Sequence, residues 1–268
     1  MKFIIKNQKF IPEKQAQISI NERGFLYGDG IFESLKIYNY KIYDFKNHLQ
    51  RIKRALEIMR FDADLSDIEK KSLQLIKKNN IKNGILRISI SRGIGGAGYL
   101  PAKNLKASTI IQTLNSRKLP KNISLGIGKI VAPKIAFKSM NSIPYILNKI
   151  DATAQGFFDL IMPNEDQTIA ETSSANIFWV KKNKIYTSDE SCNIVHGCVR
   201  KKILENKNLN IIQVREKISS LEKADEIFLT NSSFLVLPVD YFSGRKLQKT
   251  MGEKIFNLMW QDLKNSCK

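Results

Sequence analysis

Two periodicities share this chain. Between Gly84 and Arg92 the residues alternate, with Ile85, Arg87, Ser89 and Ser91 on one side and Leu86, Ile88 and Ile90 on the other, the pattern of a half-buried strand. Around Leu49 the spacing is different: Leu49, Ile52, Ala55, Leu56 and Met59 recur every three or four positions, which predicts an amphipathic helix over 44–60, with a second over 66–79. Short runs at Phe3–Ile5, Gln17–Ile20, Ile31–Ile37 and Lys41–Tyr43 predict a meander of strands, and 107–114 predicts another. The stretch 115–122, Asn-Ser-Arg-Lys-Leu-Pro-Lys-Asn, is polar and contains proline, so it reads as a linker. Beyond it, strands near 123–131, 157–162, 175–181, 184–187, 209–214, 226–229 and 234–239 alternate with helices near 142–156, 197–207 and 247–264. There are no internal repeats. The pattern predicts an α/β (α+β) chain with an N-terminal α/β domain over 1–115, a linker over 116–122 and a second domain over 123–268.

Composition narrows the class. The chain has 268 residues, enough for one large or two medium domains, and 43% of them are hydrophobic, enough for a core. No run reaches the roughly 18 apolar residues that a membrane span needs. The segment Met1–Asn7 is too short and too charged for a signal peptide. Cys192, Cys198 and Cys267 form neither a paired framework nor a zinc spacing, which points to a reducing cytoplasm. Neither histidine has a metal-ligand partner at a useful spacing, so no metal site is expected and His48 reads as structural. The net charge of +19 is the footprint of a nucleic-acid binder. The lysines are scattered, however, with only short pairs such as Lys70-Lys71 and Lys201-Lys202, so the charge reads as a solvated surface that also attracts anionic substrates.

Candidate chemistry enters with six segments. Glu22-Arg23-Gly24-Phe25-Leu26-Tyr27-Gly28-Asp29-Gly30-Ile31-Phe32-Glu33 joins close-packing glycines to aromatic side chains, and His48-Leu49-Gln50-Arg51-Ile52 puts a guanidinium on the first helix. Phe137-Lys138-Ser139-Met140-Asn141 sets a lysine beside apolar residues, and Glu171-Thr172-Ser173-Ser174-Ala175-Asn176 carries an acid into an apolar strand. His196-Gly197-Cys198-Val199-Arg200 opens a helix, and Phe228-Leu229-Thr230-Asn231-Ser232-Ser233 ends a strand in hydroxyls. Taken singly, Lys138 is one of 44 basic residues and reads as a solvated side chain, and Glu171 as a turn or cap acid.

Taken together and in this order, over about residues 16–239, the six segments resemble the class IV aminotransferase family. The resemblance implies pyridoxal 5'-phosphate (PLP), held as a Schiff base on Lys138, with Glu171 facing the pyridine nitrogen. It implies a phosphate cup of Arg51, Ser232 and the backbone N–H groups of Cys198 and Val199, with Val195 covering one ring face. It also implies the two-domain PLP fold type IV, an N-terminal α/β sandwich and a C-terminal pseudo-barrel with PLP in the cleft, usually as a homodimer. Glu22 stands where the family usually has Asp, and Cys198-Val199 where it has Ile-Thr.

Three activities share that scaffold. The loop Ser91-Arg92-Gly93-Ile94-Gly95-Gly96-Ala97-Gly98-Tyr99 resembles the pattern of the aminodeoxychorismate lyases, with Ala97 replacing an Arg. The Arg-x-His pair of the D-amino-acid enzymes would fall on Ala97 and Tyr99 and is absent. The Tyr that follows the lysine by five residues in the branched-chain enzymes is Ile143 here, although Arg87 stands where those enzymes carry a substrate-facing Arg. Ser142 replaces an Arg common in the lyases. The expectation is a lyase converting 4-amino-4-deoxychorismate to 4-aminobenzoate and pyruvate for folate synthesis. Lys138 would be the base, Ser34 the proton donor to the leaving group, and Tyr27, Phe32, Arg87, Arg92 and Tyr99 the substrate pocket. The second reading is an aminotransferase for branched-chain L-amino acids or D-alanine. A third is a basic nucleic-acid-binding protein on a degenerate PLP fold.

Overall fold

The computed structural model describes residues 1–116 and 118–268; within the expected linker, Arg117 lies outside the described residues. The chain forms two compact units, one of Met1–Arg117, Phe137–Asn141 and Leu263–Lys268, the other of Lys118–Ala136 and Ser142–Asp262.

The first unit is built on a six-stranded antiparallel sheet. Its strands are β1 (Phe3–Lys6), β2 (Lys9–Pro12), β3 (Gly30–Tyr38), β4 (Lys41–Ile42), β5 (Gly84–Ser91) and β6 (Ser108–Leu114), in the order β2-β1-β6-β5-β3-β4. Its helices are α1 (Arg23–Tyr27), α2 (Phe45–Met59) and α3 (Ile68–Lys78). The alternation in β5 does what its period requires. Leu86, Ile88 and Ile90 join Ile31, Leu35 and Ile37 of β3, Ile111 of β6, and Ile52, Leu56, Leu75 and Ile76 of the helices in one buried cluster. Each such side chain contributes about 1.5–3 kcal/mol by burial. The other face carries the half-buried Phe32, Ser34, Lys36, Arg87, Ser89 and Gln112, with Ser34, Arg87 and Gln112 in one cross-strand row.

Two local readings of the sequence change here. Gln17–Ile20 is not a strand: Ile18 and Ile20 are exposed, and Ser19 Oγ accepts from the Asn21 N–H at 3.2 Å, forming a turn that leads into α1. The partner of β1 is instead β2, reached through Asn7 and Gln8, both at positive φ, a tight hairpin turn without the glycine that would have marked it.

The second unit holds two five-stranded sheets. One, in the order β12-β11-β10-β13-β14, comprises β10 (Asn176–Lys181), β11 (Lys184–Ser188), β12 (Ile211–Val214), β13 (Glu226–Asn231) and β14 (Leu235–Pro238). The other, β16-β15-β7-β8-β9, comprises β7 (Ser124–Ile127), β8 (Asp159–Pro163), β9 (Ile169–Thr172), β15 (Tyr241–Phe242) and β16 (Arg245–Lys246). The helices are α4 (Ile143–Ala154), α5 (Cys198–Leu204) and α6 (Thr250–Ser266). The strand expected to run to 131 stops at Ile127; the next residue, Gly128, lies against the Asn148 amide, where a Cβ would come within 2.3 Å of its Oδ1. The expected segments do not include β9, which is only four residues long, yet it carries Glu171.

Candidate active site

The lysine segment is fastened to β3. The Phe32 N–H donates to the Lys138 carbonyl at 2.9 Å and the Met140 N–H to the Gly30 carbonyl at 2.9 Å, with Ile31 and Ser139 bridged between them. Glycine is what allows this approach: a Cβ on Gly30 would stand 2.7 Å from both Met140 Sδ and the Ile90 carbonyl, and Gly28 takes φ +66 against Asn141. So the Gly28-Asp29-Gly30 motif is a seat for the lysine. Lys138 Nζ then lies 5.3 Å from the centre of the Phe32 ring, and the Arg87 guanidinium 4.1 Å from the same ring. Ser34 pairs with Arg87 across the sheet. Arg87, Ser89, Ser91, Glu22 and Met140 line a cavity of about 410 Å³. Burial holds the Arg87 guanidinium below its ordinary pKa, and among the described residues it has no ion-pair partner.

Arg51 lies on the opposite, helix-covered face. Its Nε donates to Glu33 Oε1 at 2.6 Å and its Nη2 to Glu33 Oε2 at 2.7 Å, and His48 Nδ1 is 2.7 Å from the same Oε2. Burial alone would raise the Glu33 carboxyl, but the Arg51 charge and the His48 and Arg51 hydrogen bonds outweigh it and hold the group well below the usual carboxylate range. His48 is therefore structural in a specific sense, as the second partner of the acid that grips Arg51.

Arg92 and Tyr99 belong to a different arrangement. Arg92 Nε donates to Asp29 Oδ2 at 2.8 Å, and its Nη2 and Nη1 donate to the Met59 and Arg60 carbonyls at the end of α2, so its fork anchors structure. Arg23 Nε donates to the same Asp29 oxygen at 2.7 Å, while its Nη1 and Nη2 hold the Gly98 and Tyr99 carbonyls at 3.1 Å. The glycine-rich loop is thus tethered by its backbone. Tyr99 itself is 90% exposed, and its ring meets Tyr27 edge-on at 5.9 Å.

In the second unit the acid is set from several sides. Glu171 is buried on β9; its Oε2 accepts from Asn176 Nδ2 at 3.0 Å and from the Val195 N–H at 3.1 Å, and its Oε1 from the Tyr145 hydroxyl at 3.1 Å. Asn176 also donates to the Val195 carbonyl at 2.8 Å, which ties Val195 to the acid. Gly197, the N-cap of α5, packs so closely on Asn176 that a Cβ there would come within 2.1 Å of its Oδ1. No side chain caps α5, so Cys198 and Val199 open the helix with their N–H groups in its first turn. The turn that carries Ser232 is ordered by Asn231, whose Oδ1 accepts from the Ser233 and Phe234 N–H groups and whose Nδ2 donates to the Ser174 carbonyl. Asp159 holds Ser173 and Ser174, at 2.7 and 3.2 Å, in the turn between β9 and β10.

These donor sets fit PLP: a lysine amine against an aromatic ring, a buried carboxylate with neutral donors on both oxygens, and an uncapped helix start beside a hydroxyl-bearing turn. The sequence profile described as "Amino-transferase class IV" matches residues 30–242. The chain belongs to the class IV aminotransferase family. The cofactor of this PLP-dependent family is therefore the one expected from the sequence. A D-alanine aminotransferase of Staphylococcus aureus is 26% identical over 255 residues, covering 91% of this chain and 90% of that protein. The fold is similar to that of the branched-chain aminotransferase of Thermoproteus uzoniensis, with TM-score 0.91, 20% identity and coverage of 97% and 94%. It is also similar to that of the 4-amino-4-deoxychorismate lyase of Pseudomonas aeruginosa, with TM-score 0.84, 20% identity and coverage of 97% and 99%. The relatives of this class IV protein thus span all three activities.

Tyr145, Asn176, Glu33 and Asp29 were not among the site residues expected from sequence. Asn176 lies in the Glu171–Asn176 segment and Asp29 and Glu33 in the Glu22–Glu33 segment, whereas Tyr145 follows Lys138 by seven positions, a spacing that carries no signal.

Proposed function

We propose that the protein is a PLP-dependent 4-amino-4-deoxychorismate lyase that releases 4-aminobenzoate and pyruvate. The observation that carries this reading is the cross-strand pair Ser34 and Arg87, on the sheet face where Lys138 Nζ meets the Phe32 ring. Expelling an enolpyruvyl group calls for a proton at its methylene carbon and a cation for its carboxylate; amino transfer needs no proton delivered to a leaving group. Ser34 Oγ supplies that proton and the Arg87 guanidinium takes the carboxylate.

Lys138 Nζ is the amine that holds the cofactor and the base that removes the proton from the amine-bearing ring carbon. When bound, PLP supplies an electron sink through its protonated pyridine ring. Glu171 keeps that ring nitrogen protonated, and Val195 covers one face. Arg51, Ser232 and the N–H groups of Cys198 and Val199 hold the phosphate. Phe32 gives the pocket an aromatic wall beside Lys138, while Tyr27 and the exposed Tyr99 stand on the neighbouring glycine-rich loop region, where substrate would meet them on entry and which Arg92 helps to anchor.

We also read the protein as a homodimer, because Ile143, Ile146, Leu147 and Ile150 form an i, i+3, i+4, i+7 stripe on α4 that is 46–62% exposed. The second reading, an aminotransferase for branched-chain L-amino acids or D-alanine, is supported by Arg87, since a substrate-facing cation serves both chemistries, and by the likeness to the D-alanine aminotransferase of Staphylococcus aureus.

Ser34→Ala separates the two. It should lower the rate of pyruvate formation from aminodeoxychorismate by roughly 10²- to 10⁴-fold, the usual contribution of a positioned proton donor, while leaving PLP loading unchanged. An unaltered rate would remove Ser34 from the mechanism and take the carrying observation with it.

A further inference from the structure

The Tyr145 hydroxyl points at Glu171. Tyr145 stands in the first turn of α4, after Ser142 and Pro144, and its half-buried ring packs against the cluster of Ala132, Met162, Ala170, Cys192 and Ile194. From there it donates to Glu171 Oε1 at 3.1 Å, on the oxygen opposite the one served by Asn176 and the Val195 N–H. Burial, and then the neighbouring carboxylate, push the phenol above its ordinary pKa, so it remains a donor at any working pH.

We propose that Tyr145 is the positioning residue that fixes Glu171 and keeps the cofactor's proton on the pyridine nitrogen. Donors to a carboxylate favour its charged form and make it a weaker base. A carboxylate facing a pyridine nitrogen must be charged, to stabilise the pyridinium, and weak enough as a base to leave the proton there. Asn176 and Val195 serve only Oε2. Without the phenol, Oε1 loses a donor that weakens it as a base, and the shared proton moves from the ring toward Glu171. The ring then becomes a poorer electron sink. Tyr145 lies two residues beyond Ile143 and seven beyond Lys138 in the chain. The inference rests on the assignment of Glu171 to the pyridine nitrogen.

The test uses the full-length protein and Tyr145→Phe, which keeps the ring in its cluster and removes only the hydroxyl. Three quantities are read: the PLP dissociation constant of the apoprotein, the ¹⁵N resonance of ring-labelled PLP on the protein, and the melting temperature of the apoprotein. The variant should bind PLP roughly tenfold more weakly, as expected for losing one hydrogen bond to a charged group. Its ring nitrogen should shift toward the unprotonated position, and kcat should fall more than KM rises. A Phe variant with wild-type PLP affinity and an unmoved ¹⁵N resonance overturns the proposal, whatever its melting temperature. A wild-type protein whose bound PLP already has an unprotonated ring nitrogen overturns the Glu171 assignment itself, a separate and recognisable failure.

Discussion

Glu33, buried beneath the sheet, is the residue on which two functions of Arg51 meet. The pair with Arg51 and His48 contributes to folding, and the same guanidinium is the proposed phosphate ligand. Because Glu33 is held below its unfolded carboxylate pKa of about 4.3, its contribution to stability is complete above that value and is lost as pH falls. Glu33→Gln should therefore destabilise the protein at neutral pH by about 3–5 kcal/mol, the cost of breaking a buried ion pair by removing one partner. It should also flatten the fall of melting temperature between roughly pH 5 and pH 2. A variant with an unchanged acid limb would show that the pair has no part in stability. Arg51→Ala should weaken PLP binding by roughly 10- to 150-fold, the effect of losing a charge-assisted bond, and unchanged affinity in a folded variant would place the phosphate elsewhere. Lys138 and Glu171, the proposed imine former and partner of the ring nitrogen, stand out in the sequence because imine chemistry and a pyridinium each admit few residue types. Tyr145 does not, because its role comes from a contact 26 positions away in the chain.

At the scale of elements, period and chemistry predicted different things. The alternation of β5 and the helical spacing of α2 fixed both elements almost to the residue, since each has one face to bury. The short pieces that matter most to the site escaped: α1 has five residues, β9 has four, and β2 follows a glycine-free turn. Periodicity needs length to register, whereas an N-cap such as Glu22 on the Phe25 N–H works at a single residue. Helix α4 shows what a period can still reveal, because its apolar stripe faces outward rather than into the unit. Ile146→Glu with Ile150→Glu should leave α4 folded, since both positions are exposed, and should convert the proposed dimer to monomer in analytical ultracentrifugation. A wild-type protein that sediments as a monomer, or a double variant that sediments as a dimer, would show that this stripe does not join two copies.

For the molecule as a whole, sequence order concealed one fact of organisation. The lysine segment Phe137–Asn141 belongs with the unit formed by residues 1–117, although it lies 20 residues beyond it in the chain. Only the backbone pairing of Phe32 with Lys138 and of Gly30 with Met140 shows this. Among the described residues no helix is long and apolar enough to cross a membrane, and no group of three or more His, Cys, Asp or Glu could hold a metal ion. A lyase needs only one substrate, whereas an aminotransferase stops after one turnover until a 2-oxo acid arrives. The decisive measurement is pyruvate released per active site from aminodeoxychorismate as sole substrate. The account predicts many equivalents, matched one to one by 4-aminobenzoate, with slow or no amino transfer from L-leucine, L-glutamate or D-alanine to 2-oxoglutarate. Absence of pyruvate, together with rapid amino transfer from any of these amino acids, would contradict it.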